Sequence, residues 1–71
     1  VTYKEYLSRE GFVYNEKEGS WVIGLGWGKS IKVSHILKGL FEITKNSKII
    51  FSDFVESMNE FKHLIEETKK E

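Results

Sequence analysis

The sequence predicts an α+β fold in a single domain, residues 1–71: a small antiparallel sheet of three to four strands packed with a short N-terminal helix and a long C-terminal helix. Three observations carry that expectation. The chain opens on Thr2-Tyr3-Lys4-Glu5, a capping box. Between Phe12 and Val33 the apolar period shortens to two, broken by glycine-bearing turn segments. From Phe54 onward, apolar residues recur every three or four positions.

The elements follow in order. Thr2 as N-cap, Glu5 at N3, and Val1 with Tyr6 as a hydrophobic staple start a helix over residues 3–10, which Gly11 ends in a left-handed conformation. Phe12-Val13-Tyr14 reads as a short strand, and Asn15 to Ser20 as a polar turn. Trp21 to Trp27 and Ile31 to Val33 read as two strands joined by a Gly28-Lys29 turn, giving a three-stranded meander. Ser34 can cap a second helix, since Ile36, Leu37, Leu40 and Phe41 fall at three-and-four spacing, although an interior Gly39 weakens it by about 1 kcal/mol. The same stretch, 34–45, also admits a strand reading. Lys48 to Phe51 is a short strand or extended connector. The last helix is capped by Ser52 or Asp53, with Phe54, Met58, Phe61, Ile65 and Thr68 as its buried stripe.

At 71 residues the core is only marginally sufficient, and with no cysteine there is neither a disulfide staple nor a Cys-based zinc site. Aromatic packing and oligomerisation are the remaining aids, and aromatics make up 14% of the chain. No apolar run approaches the ~18 residues of a membrane span, and no secretory pattern opens the chain, so a cytoplasmic protein without membrane partner is expected.

The stretch GLGWGKS, Gly24 to Ser30, ends like a nucleotide-binding P-loop. That motif needs a glycine five residues before the Gly-Lys-Ser glycine, and Ile23 stands there. As a strand, the segment instead divides into Trp21, Ile23, Leu25 and Trp27 on one face, and Val22, Gly24, Gly26 and Gly28 on the other. A Gly28-Lys29 turn sets Gly26 opposite Ile31 and Gly24 opposite Val33. Both faces then read as apolar, which predicts a homodimer or other partner covering Val22, Gly24, Gly26, Ile31 and Val33.

Formal charge is zero overall but unevenly spread: residues 24–50 hold Lys29, Lys32, Lys38, Lys45 and Lys48 against Glu42 alone, and residues 51–71 are acidic. Cations beside Trp21 and Trp27 are the components of a single-stranded nucleic-acid platform. Equally, the acidic helix can lie against the basic segment and neutralise it. The stretches IKVSHILKGLFEIT and SKIIFSDFVESMNEFKHLI, residues 31–65, are similar to the transcriptional positive-cofactor family of single-stranded-DNA-binding domains. That resemblance rests on Lys38-Gly39 and the apolar spacing. It implies strand, Lys-Gly turn, strand, and a short strand leading into a long helix, with nucleic acid as partner.

Glu60, His63 and Glu67 share a helix face but are too few for a hard-wired metal site. No cysteine nucleophile or serine elbow is present, and so small a domain has little room for a catalytic pocket. The sequence therefore predicts a small non-catalytic binding protein with no cofactor or metal: a dimeric nucleic-acid-binding accessory or regulatory protein, or a protein-interaction module or inhibitor.

Overall fold

The computed structural model describes residues 2–70. The first helix, α1 (Tyr3–Arg9), starts with the Thr2 half of the expected capping box: Thr2 is extended, and its Oγ1 accepts the Glu5 N–H at 3.2 Å. The Val1 half of the expected staple lies outside the described residues. At the other end Gly11 takes φ +99°, Phe12 N–H reaches Leu7 C=O at 2.9 Å and Gly11 N–H reaches Ser8 C=O at 3.2 Å. These are the paired bonds of a Schellman cap, and they turn the chain directly into the sheet.

Five strands follow: β1 (Val13–Asn15), β2 (Ser20–Gly26), β3 (Lys29–Leu37), β4 (Leu40–Lys45) and β5 (Lys48–Phe54). They form one antiparallel sheet in the order β1-β2-β3-β4-β5, and α2 (Met58–Lys70) closes the chain. The sheet thus has five strands where the sequence reading expects three to four. The helix expected after Ser34 is replaced by the second half of β3, a Lys38-Gly39 turn, and β4. The apolar quartet Ile36, Leu37, Leu40 and Phe41 suits either structure locally. Pairing on both sides decides for the strands, because β4 bonds to β3 and β5 at once. Gly39, with φ +81°, is a turn residue and so carries no mid-helix penalty.

α2 also begins later than expected. Phe54 stays extended opposite Leu40, and the helix starts after Ser57, whose Oγ accepts the Glu60 N–H at 3.2 Å. Glu60 in turn accepts the Glu56 N–H at 3.2 Å, so the N-terminal box is Ser57 with Glu60 rather than Asp53 with Glu56. The expected stripe holds beyond that point: Phe61, Ile65 and Thr68 are buried.

Both helices lie on one face of the sheet. Ile31, Val33, Phe41 and Ile43 point into a core completed by Tyr6, Leu7, Phe12, Phe61 and Ile65. Trp21, Ile23 and Leu25 pack at its margin. Aromatic rings centre it, with Phe41 and Phe61 4.8 Å apart and Tyr3 5.0 Å from Phe41. Full burial of a side chain such as Phe61 or Ile65 contributes about 1.5–3 kcal/mol.

The opposite face is open, and it corrects the expectation of two apolar faces. Observed register sets Trp21 opposite Val33, Ile23 opposite Ile31, and Gly24 opposite Ser30. Ile31 and Val33 therefore turn toward the helices. As a strand rather than a helix, residues 34–45 bring Ser34, Glu42 and Thr44 to the open face, beside Lys32 and Ser52. Its centre is polar, as a one-sided antiparallel sheet requires.

Candidate functional site

In a meander, alternate turns share an end of the sheet. The β2–β3 and β4–β5 turns meet at one end and are stitched together there. Ser30 N–H donates to Asn46 Oδ1 at 3.1 Å, and Asn46 N–H to Ser30 C=O at 2.9 Å. Asn46 and Ser47 take φ of 54° and 68°, and Trp27 and Gly28 take 56° and 77°. Two central residues at positive φ are what a type I′ hairpin turn needs.

The β2–β3 turn is thus Trp27-Gly28, one residue earlier than the expected Gly28-Lys29, because Lys29 already pairs with Gly26. That shift takes Trp27 off the face it shares with Trp21 in the sequence reading. Its indole is 99% exposed at the tip of the hairpin. A left-handed conformation costs an L-residue roughly 1–2 kcal/mol, and a tryptophan there gains no packing in return. Lys29 beside it and Lys48 after the adjoining turn are both exposed.

The remaining expected contact residues are scattered. Trp21 is half-buried, 5.3 Å from the Tyr14 ring. Lys32 stands on the open face, 3.7 Å from a Glu18 carboxylate oxygen. Lys38 lies at the β3–β4 turn, the far end of the sheet. Lys45 points into the interior, where its Nζ donates to Thr68 C=O at 2.7 Å near the C-terminus of α2. A cation there complements the helix dipole and closes the helix. Out of the expected set, the structure places Trp27, Lys29 and Lys48 at one end of the sheet.

The residues expected to form a dimer face do not share a surface. Val22 and Gly24 belong to the open side, where a Cβ added at Gly24 would meet nothing within 4 Å, and Gly26 lies past a bulge, opposite Lys29 at the turn. Ile31 and Val33 are completely buried on the other side. Asn46 and Ser47, which the sequence reads as the end of a helix, organise the turn end together with Ser30. Their signal was Asn46-Ser47 between two β-rich runs, a pair suited to left-handed turn positions.

Other candidate features resolve into structural roles. The Gly-Lys-Ser of GLGWGKS enters a strand rather than a helix, so its amides serve the ladder instead of wrapping an anion. A shallow concavity of about 260 Å³ on the open face includes Asn15, Glu18, Lys32 and Thr44, its one lysine already facing a carboxylate. On α2, Glu60 is held by the cap, and His63 Nε2 is 4.0 Å from Glu67. Among the described residues no three such side chains converge to hold a metal. Ion pairs found among them join Lys32 to Glu18, Lys69 to Glu10, and Lys70 to Glu67, and none links the middle lysines to the acidic helix.

Burial raises the pKa of the Tyr3 phenol, with a smaller contribution from Tyr14; burial also raises that of Tyr6, reinforced by Glu10 and Glu66. Tyr3 Oη lies 3.0 Å from His35 Nδ1, on the rim of the aromatic core. Among the described residues no helix is long and apolar enough to cross a membrane. Comparison with protein families, with curated proteins and with solved structures finds no match to this chain.

Proposed function

We propose that this chain is a non-catalytic binding protein that engages single-stranded nucleic acid at its turn end. Trp27 stacks on a base, and Lys29 and Lys48 meet the flanking phosphates. One observation carries the reading: Trp27 is 99% exposed in a left-handed turn position that asparagine or glycine would fill at lower cost. A partner that covers the indole offsets that cost, and stacking on a base contributes about 1–3 kcal/mol. Zero formal charge confines the attraction to this end and favours local contact over general polyanion binding.

The test is titration with a short oligothymidylate, read by tryptophan fluorescence, with Lys29→Glu in parallel. Stacking quenches the exposed Trp27 and leaves the half-buried Trp21 little changed. Two lysine–phosphate contacts give a salt slope of about −1.4, or roughly a sevenfold loss of affinity between 50 and 200 mM salt. No quenching at low salt, or unchanged affinity in Lys29→Glu, overturns the reading.

A protein partner draws support from a different observation. Leu37, Leu40 and Phe54 form a cross-strand apolar row on the open face, at the opposite end of the sheet. A partner seated there binds with little salt dependence and leaves Trp27 unquenched, which separates the two readings.

A further inference from the structure

The two edges of the sheet differ. β1 has three residues, whereas β5 has seven, and β5 bonds to β4 along one side only. Its other side presents backbone N–H and C=O groups without a strand partner, a template for a further strand, although Phe54 N–H there already donates to Asp53 Oδ1 at 2.7 Å. Six of its seven side chains are exposed, including Ile49, Ile50 and Phe54 at 58, 48 and 60%. A bulge at Ile49-Ile50 interrupts the strand, but β5 has no proline.

Its two charges have opposite sign and stand near opposite ends, Lys48 and Asp53. Among the described residues neither has an opposite charge within ion-pair distance. We propose that β5 pairs antiparallel with β5 of a second copy of this chain, about a twofold axis near Ile50-Phe51, doubling the five-stranded sheet. In that arrangement Lys48 of each copy approaches Asp53 of the other, giving two opposite-charge contacts. Parallel pairing would set like charges together. Self-complementarity of charge under a twofold axis is what singles out a second copy over an unrelated strand.

The seam is modest. Seven residues at about 3.4 Å each make it roughly 24 Å long. A single strand pair of that length buries less than the ~800 Å² per partner of a standard interface, so association is expected to be weak and concentration-dependent. This surface differs from the one the sequence reading marks for dimerisation, and it does not depend on nucleic-acid binding. The seam and a phosphate at the tip compete for Lys48, so the two-lysine contact at the tip belongs to the monomer and the dimer keeps Trp27 and Lys29 outward.

Sedimentation equilibrium without nucleic acid, from about 5 to about 500 µM, tests it. The wild type shifts from monomer to dimer across that range. Lys48→Asp sets acid against acid and weakens association at least about tenfold, while the double reversal Lys48→Asp with Asp53→Lys restores it to within about threefold. Ile49→Lys, at a half-exposed edge position, abolishes it. Amide exchange of residues 48–54 in the wild type, slower at high than at low concentration, reads the same seam without any substitution. A wild type that stays monomeric at about 500 µM overturns the proposal. So does a dimer indifferent to Lys48→Asp and Ile49→Lys, a folded double reversal that fails to recover, or exchange in β5 independent of concentration.

Discussion

Replacing Trp27 by asparagine separates what this residue does for the fold from what it does for a ligand. At φ 56° the backbone is left-handed, which costs an ordinary L-residue roughly 1–2 kcal/mol and asparagine appreciably less. The indole is 99% exposed, so its removal forfeits almost no packing. Trp27→Asn also sets an asparagine directly before Gly28, and Asn-Gly is the pair most favoured in a type I′ turn. The variant is therefore expected to be more stable by about 1 kcal/mol, which raises Tm by about 4–8 °C in a domain of this size. The same change deletes the stacking surface, and a loss of about 1–3 kcal/mol weakens oligonucleotide binding by roughly 5–150-fold. Thermal melts followed by circular dichroism give the first quantity, and fluorescence anisotropy of a labelled oligonucleotide gives the second. A lower Tm would mean that the indole is packed in solution. Undiminished affinity would mean that nothing stacks on it. Either result refutes the reasoning.

Three further outcomes are expected. Lys45→Met removes a charge-assisted hydrogen bond to Thr68 C=O and the cation at the end of α2, so the urea midpoint should fall by the equivalent of about 2 kcal/mol. Oligonucleotide affinity should stay within about twofold, because this lysine faces inward. Gly24→Thr places a β-branched side chain into open space at an ordinary φ and should stabilise by about 0.5–1 kcal/mol in chemical denaturation. A destabilised variant would show that the open face is covered. Finally, the fold holds the Tyr3 and Tyr6 phenols protonated beyond the point where the unfolded chain releases them. Their stabilising contribution is complete below about pH 10 and is lost as pH rises through the higher folded-state values. Urea midpoints that stay flat from about pH 9 to about pH 11 would contradict it.

Both ends of the chain were legible in the sequence because their signals are local. Thr2 with Glu5, Gly11, and the Phe61–Ile65–Thr68 stripe each act within a turn or two of helix, and each behaves as its pattern implies. The middle was ambiguous for a physical reason. Ile36, Leu37, Leu40 and Phe41 satisfy a helix and a tight hairpin equally well, and the choice rests on pairing with strands on both sides. Lys38-Gly39 was the one local clue, and the strand, Lys-Gly turn, strand order implied by the resemblance is the order adopted. The candidate site was harder still. Moving the β2–β3 turn by one residue sends Trp27 from a sheet face to a bare tip, since side chains alternate along a strand. Lys45 reads as a surface charge until the parity of β4 points it inward beneath α2.

The strand order has a kinetic consequence. Each strand reaches its neighbour through a connection of only two to four residues, so the sheet assembles by closing very short loops. Proteins dominated by such local encounters fold quickly. The distant segments that must find one another are the two helices, latched where Lys69 Nζ meets Glu10 at 3.0 Å. Docking of the tail is then expected to come late. Loosening that latch should hasten unfolding while leaving the speed of folding almost untouched.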